Sequence, residues 1–329
     1  MSQSRPYPSY EFRSFDRAMR DYWGNAIARP IRLGKVAREI ERLTSRTDAG
    51  RRFLAALAIS ARLKPKTIIK RVILELYQEG LFQWVFRVQV TAEKKNRTLC
   101  LTVAKDPVLH SRVASREWEL LKVLQQRNPE RVVRVFERVA IPAPDERGEL
   151  TAYFSQMLRG YTELGVDARH RFHLVGQEKT KTFTQKQSDG IRAEILESLA
   201  SFYDPSDRSA LLDVEVNSGD FMGQPVPYGF EVKLIAVRRL HRNLSAGGLL
   251  RNLLGPIGEH AEEPFYLAPS SPELVISKLV LGFTKALGDE DKAAAFILSG
   301  LRSLTRKKTP CTAPGLSWSA LQKVLQKKS

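Results

Sequence analysis

The chain is poor in the residues that build several common sites. It has two cysteines, Cys100 and Cys311, in 329 residues. Two thiols so far apart give neither a disulfide framework nor a zinc pattern, and they fit a reducing, cytoplasmic setting. The five histidines, His110, His170, His173, His241 and His260, include no helical pair that a carboxylate would complete into a metal site. His170 and His173 lie among Arg169 and Arg171 and read as surface residues. The longest wholly apolar run, Phe53 to Ile59, is far too short to span a bilayer. The opening Met1-Ser2-Gln3-Ser4-Arg5-Pro6-Tyr7 has no hydrophobic signal core. No Gly-x-x-x-x-Gly-Lys-Ser/Thr loop, Gly-x-Ser-x-Gly elbow or His-Glu-x-x-His helix occurs, which removes the common phosphate-loop, hydrolase and zinc-protease readings.

Acidic residues are missing from one end. Residues 301–329 carry 7 Lys/Arg and no Asp or Glu. Residues 1–66 carry 15 Lys/Arg against 6 Asp/Glu, so most of the net charge of +17 sits at the two ends and the middle is nearly neutral. Such ends suit an anionic partner: a protein, a lipid head group or a nucleic acid. Charge this dispersed equally suits plain solubility, and the ends lack the aromatic interleaving of a single-strand platform.

With 43% apolar and 27% charged residues, the chain is globular and long enough for two domains. Residues 1–12 read as an irregular leader. Helical spacing dominates from Phe15 to Leu63, with a break at Asp48-Ala49-Gly50. Val72–Tyr77 is expected as a strand, although Ile69, Val72, Ile73 and Leu76 also fit a helix face. Phe82, Trp84, Phe86, Val88 and Val90 alternate with Gln83, Val85, Arg87 and Gln89, a strand pattern, and Glu93-Lys94-Lys95-Asn96 turns the chain into the next strand. Strands are also expected at Val132–Phe136 and Leu150–Leu158, and a hairpin around Gly229 from Val226–Tyr228 and Glu231–Leu240. Helices follow at Ile191–Phe202, Leu274–Leu287, Ala293–Leu304 and Trp318–Leu325. Five strands with one helix after the third, then mostly helices, give an α+β class. The boundaries expected are a basic helical extension over 1–66, a sheet-bearing lobe over 67–160, a mostly helical lobe over 161–300 and a basic tail over 301–329.

Lys105 and Glu117 are the most informative pair. Lys105 ends the run Leu99-Cys100-Leu101-Thr102-Val103-Ala104, in which Leu99, Leu101 and Val103 share its face. At about 100° per residue, Val113, Glu117, Leu120, Leu121 and Leu124 form one helical stripe, and Glu119 falls on the far side. One carboxylate thus faces a core and needs a cation. A solvated strand-end lysine and an unrelated helix glutamate would give the same letters.

The order of these segments resembles the protein-kinase-like fold over roughly residues 67–255, with the lipopolysaccharide core kinases nearest and aminoglycoside phosphotransferases more distant. Glu79-Gly80-Leu81-Phe82-Gln83-Trp84-Val85 resembles the phosphate-covering loop, with Gly80 its remaining glycine and Val85 its valine. Thr102-Val103-Ala104-Lys105 is similar to the strand-lysine motif, and Ser115-Arg116-Glu117 to the helix-glutamate motif. Phe154-Ser155-Gln156-Met157-Leu158 resembles the adenine-binding hinge. The resemblance therefore implies a two-lobed fold with helical extensions, ATP and Mg²⁺ as cofactors, and a nucleotide site using Gly80, Val85, Val103, Lys105, Glu117, Met157 and Leu158.

The catalytic region departs from that family. In one register Glu215 stands at the catalytic aspartate and Asp220 at the metal-binding asparagine, five residues on. In another Asp220 is catalytic, which leaves Pro225 at the asparagine position. Asp213 is a third candidate. Lys233-Leu234-Ile235-Ala236 resembles the family's later strand, but Ala236 stands where a metal-binding aspartate belongs and has no side-chain oxygen for magnesium. Three functions follow: a pseudokinase or weakly active nucleotide-binding regulator, an active phosphotransferase using Glu215 as base and Asp220 as metal ligand, or a basic interaction scaffold. Trp84 and Trp118 read as packing residues, and Arg238, Arg239 and Arg242 as a solvated row.

Overall fold

The computed structural model describes residues 8–13, 47–65, 67–79, 82–93, 95–143, 148–167, 169–175, 182–214, 219–257, 265–309, 311, 313 and 315–328. Gly80 and Glu215 lie outside these residues, as does most of the helical stretch expected before Leu63. Two compact units emerge. The first comprises residues up to Lys122 together with Arg134–Arg159, and the second Val123–Val133 with Gly160 onward.

The first unit is built on a six-stranded sheet in the order β1-β2-β3-β4-β6-β5. Its strands are β1 (Ser9–Arg13), β2 (Ile69–Glu79), β3 (Gln83–Ala92), β4 (Lys95–Ala104), β5 (Val135–Pro142) and β6 (Glu149–Gln156). β3 follows its sequence alternation: Trp84, Phe86, Val88 and Val90 are buried, and the residues between them are less so. The pairing Ala92↔Lys95 leaves two residues for the β3–β4 turn, tighter than the four-residue turn expected. β2 is longer than expected, because both of its edges find partners. It pairs antiparallel with β3 and parallel with β1, so residues 9–13 are a strand and not an irregular leader. β5 starts later than expected, since Val132 and Val133 instead meet Leu234 within the second unit.

Helix α1 (Asp48–Ser60) begins where a break was expected. The Thr47 hydroxyl accepts from the Gly50 amide at 3.2 Å, and Asp48 sits in the first turn, where its charge favours the helix dipole. Asp48-Ala49-Gly50 is therefore a helix start. Phe53 and Leu57 of α1 are buried, and the Phe53 and Phe154 rings lie 5.5 Å apart. The core beneath α1 includes Trp84, Phe86, Leu101, Val103 and Ala152. Helix α2 (Leu109–Arg127) touches the other sheet face through Glu117 and Tyr153. The Asp106 carboxylate caps it, accepting from the amides of Val108 and Leu109 at 2.9 and 2.8 Å. Ser111 Oγ accepts from the Thr151 amide at 3.0 Å and ties the first turn to β6.

The second unit is mostly helical: α3 (Gln185–Ser201), α4 (Ala246–Leu253), α5 (Pro272–Leu287), α6 (Glu290–Arg306) and α7 (Trp318–Lys328). A four-stranded sheet, β11-β10-β7-β8, accompanies them, formed by β7 (Thr162–Val166), β8 (Phe172–Leu174), β10 (Phe221–Val226) and β11 (Gly229–Leu234). The hairpin turn is Pro227-Tyr228, so its arms lie earlier than the sequence suggested. Leu240 belongs instead to β12 (Leu240–His241), which pairs with β9 (Ala210–Leu211). The remaining pair, β13 (Pro256–Ile257) and β14 (Phe265–Tyr266), is short. Residues 301–306 complete α6, and α7 packs on α5 and α6 through buried Leu321 and Leu325. Trp318 Nε1 donates to the Thr309 carbonyl at 2.8 Å. The basic end is thus packed into this unit, with Lys and Arg on its outer side.

α3 and α5 approach closely at Gly282, where a Cβ would stand 2.5 Å from the Glu197 carbonyl oxygen. Beside that contact lies a buried ionic cluster. Glu197 accepts from Arg131 Nη2 at 2.6 Å, Lys278 Nζ at 2.7 Å and Lys285 Nζ at 2.9 Å. Glu194 accepts from Arg131 Nη1 and Lys278 Nζ, both at 2.6 Å. Among the described residues no helix is long and apolar enough to cross a membrane.

Candidate functional site

The strand register decides which candidates share a surface in the first unit. Val85 pairs with Thr102 and Gln83 with Ala104, while Trp84 pairs with Val103. Alternation then puts Gln83, Val85, Thr102 and Ala104 on the α2 face, and Trp84 and Val103 on the α1 face. Val103 is fully buried in the core beneath α1, so one ligand lying on the α2 face meets Val85 but not Val103. Thr102 and Ala104, which sequence reasoning passed over, occupy that face instead. Register was the missing signal, because it is set by the hairpin turn and not by the motif letters.

Glu117 is 7% exposed, as its position in the helical stripe predicts. Its Oε2 accepts from Tyr153 Oη at 2.8 Å and from Gln83 Nε2 at 2.6 Å. Burial, and next the Glu117 charge, hold the Tyr153 phenol well above its ordinary pKa, so it stays a donor. Neither Tyr153 nor Gln83 was among the expected site residues. Lys105 follows β4 directly. Its amide donates to the Phe82 carbonyl at 3.0 Å, and its Nζ lies 5.7 Å from the Trp84 ring centroid, on the apolar side the sequence predicts. Trp84 and Trp118 pack as expected, and Trp118 Nε1 donates to the Phe136 carbonyl at 2.8 Å. Past β6, Leu158 is buried and Met157 Sδ lies 3.2 Å from Cys100 Sγ. Burial pushes the Cys100 thiol up to about 12, only partly offset by a hydrogen bond with Ser155.

The second unit holds the acidic candidates. Asp220 stands immediately before β10 and is 1% exposed. Its carbonyl oxygen accepts from the Ile235 amide at 2.8 Å, which brings Ala236 one residue from this contact. Gly219, just before it, has φ +78°, and a Cβ there would stand 2.8 Å from Glu163 Oε1. Glycine is needed twice over, for the left-handed backbone and for the carboxylate pressed against it. Glu163, on β7, is a further carboxylate that motif reading did not find. It comes from a strand more than fifty residues earlier, beyond the reach of any local pattern.

Asp213 follows β9, and its side chain is 41% exposed. Its Oδ1 lies 2.8 Å from His241 Nε2, and its Oδ2 accepts from Arg239 Nε at 2.9 Å. Arg238 Nη2 stands 3.6 Å from Asp220 Oδ1, and Arg242 Nε 3.6 Å from Asp207 Oδ2. The row Arg238, Arg239, Arg242 is solvent-exposed, as expected, and each arginine also faces a carboxylate of its own unit. Among the described residues no group of three His, Cys, Asp or Glu side chains is placed to hold a metal ion.

No family model and no curated protein matches the chain. The solved structure of WaaP in complex with acyl carrier protein is similar at 12% identity and a TM-score of 0.34, covering 84% of this chain and 90% of that one. A likeness at that level carries no argument about the site. By its own elements the chain is an α+β protein with a sheet-bearing unit and a mostly helical unit, an architecture consistent with a two-lobed kinase-like fold.

Proposed function

We propose that this protein is a kinase-like nucleotide-binding module with little or no phosphoryl transfer, that is, a pseudokinase or a weakly active regulator. Lys105, which follows β4 directly, supplies the cation for the nucleotide phosphates, while Glu117, held by Tyr153 and Gln83, fixes α2 against the sheet. Val85, half-buried on that sheet face, is the residue open to the base; Thr102 and Ala104 beside it are buried. Supporting the first half of this reading is the burial of Glu117, a carboxylate held against a sheet face by two donated hydrogen bonds.

The observation that carries the second half is Ala236. It lies one residue beyond the Ile235 amide bonded to Asp220. In kinase-like chemistry a carboxylate at that place bridges magnesium to the phosphates, and alanine has no oxygen to do so. Without that bridge, charge developing on the transferred phosphoryl group loses its main counter-charge.

Thermal shift with ATP or ADP, with and without Mg²⁺, tests the reading on wild type and Lys105→Ala. A nucleotide at 100 times its Kd stabilises the protein by about 2.7 kcal/mol. The expected result is a rise in Tm that needs no metal and disappears in Lys105→Ala. A rise that requires Mg²⁺, together with ATP turnover, would replace the proposal with an active phosphotransferase using Glu215 and Asp220. No rise under any condition would leave the basic scaffold, and the search would move to anionic partners of the two ends.

A further inference from the structure

Asp220 and Asp213 are the two described carboxylates that a kinase-like reading would give to catalysis or to magnesium. Each faces an arginine, and the two arginines are consecutive: Arg238 toward Asp220 and Arg239 toward Asp213. His241 adds a second contact to Asp213. The short β9–β12 ladder, with Leu211 opposite Leu240, ties the chain just before Asp213 to the segment that carries Arg239 and His241. On the other side, the Ile235 amide and the Phe221↔Leu234 pair fix Asp220 near the start of the arginine run.

Magnesium, which the family resemblance implies, does not fit these residues. It demands near-octahedral oxygen coordination at about 2.0–2.1 Å. Ala236 offers no oxygen, and Asp213 spends both of its oxygens on Arg239 and His241. Asp220, the buried member of the two, has a guanidinium nitrogen 3.6 Å from Oδ1. A dication at that oxygen would meet the Arg238 charge at close range, where like charges repel. Arg238 is 42% exposed along its side chain while Asp220 is almost wholly enclosed, so the guanidinium is the solvent-facing member of the pair.

We infer that Arg238 takes the electrostatic place of a metal ion at Asp220, so that this carboxylate excludes divalent cations and a guanidinium is offered to an anionic ligand instead. The analogy with a metal site rests on the kinase-like reading, whereas the exclusion of divalent cations follows from the ion pairs themselves. An arginine in this role needs no metal pool. It also gives planar, bidentate recognition of phosphate or carboxylate, which a hydrated metal ion does not.

Mn²⁺ titration without nucleotide, followed by electron paramagnetic resonance of the free ion, tests this on the full chain. Wild type is expected to bind no Mn²⁺ that Asp220→Asn abolishes. Ala236→Asp returns a second carboxylate, and Ala236→Asp with Arg238→Ala also removes the guanidinium. The double variant is expected to bind Mn²⁺ at least tenfold more tightly than Ala236→Asp alone. Equal affinity in those two variants would overturn the inference, because Arg238 would then not be the obstacle. Wild-type binding that depends on Asp220 would overturn it even if neither variant folds. Since no nucleotide is present, a failed ATP thermal shift removes the nucleotide reading without touching this result.

Discussion

Replacing Glu197 by alanine removes the centre of the ionic cluster that joins α3, α5 and the Arg131 segment. The Glu197 side chain is 4% exposed and accepts from three cations at 2.6–2.9 Å. Glu194 remains, but it reaches only Arg131 and Lys278, so Lys285 loses its carboxylate and the other two keep one each. Removing one partner from a buried ion pair costs about 3–5 kcal/mol. An independent route gives a similar size. Burial alone would raise the Glu197 pKa, but hydrogen bonds from Lys278 and Lys285 and the Arg131 charge outweigh it and bring it down to about 2 from 4.5. Linkage turns that difference into about 3 kcal/mol. Because the folded value is depressed, this stability is fully present above pH 4.5 and is lost as pH falls toward 2. Glu197→Gln, which keeps the shape, should cost about 2–3 kcal/mol, the worth of hydrogen bonds to a charged group. Urea unfolding of wild type and both variants at pH 7, repeated at pH 3, reads all of this. Glu197→Ala should also lower Tm by on the order of 10 °C in a unit of this size. A loss under about 1 kcal/mol at pH 7, or a Glu197→Gln penalty that persists unchanged at pH 3, would refute the argument.

Two further outcomes follow from local geometry. Gly219→Ala forces a side chain into φ +78° and against Glu163 Oε1, and should cost about 1–3 kcal/mol by thermal unfolding, with a neutral result excluding the described backbone. Cys100, held at about 12 by burial, should resist iodoacetamide at pH 8 until the first unit unfolds, as read by peptide mass spectrometry. Rapid native labelling would contradict its enclosure.

What the sequence revealed depended on how local each cause was. β3 and the Glu117 stripe were legible because side-chain alternation and helical spacing act within a few residues. α5 and α6 were legible for the same reason. Five-residue β1 was not, since its partner lies some sixty positions on and nothing in Ser9–Arg13 names it. The α1 start was misjudged because Asp and Gly punctuate loops and helix N-termini alike, and only the Thr47 cap separates the two cases. The placement of Lys105 at the end of β4 and the burial of Glu117 were legible from pattern. The hydrogen bonds of Tyr153 and Gln83 to Glu117, the Glu163 contact and the arginine–carboxylate matches depend on strand register and chain return, which no short window contains.

The parallel pairing of β1 with β2 has a consequence for biosynthesis. Ser9 pairs with Arg71, so β1 is made first and its partner leaves the ribosome about 60 residues later. At 5–20 residues per second that is a wait of roughly 3–12 s. Until then the strand's amides and carbonyls have no ladder. Once β3 has formed, β2 in turn presents an open outer edge to any extended chain nearby. This stitch of the sheet is a non-local, parallel one, of the kind that forms slowly. An amino-terminal truncation or bulky fusion that blocks Ser9–Arg13 is expected to show itself first as aggregation during expression.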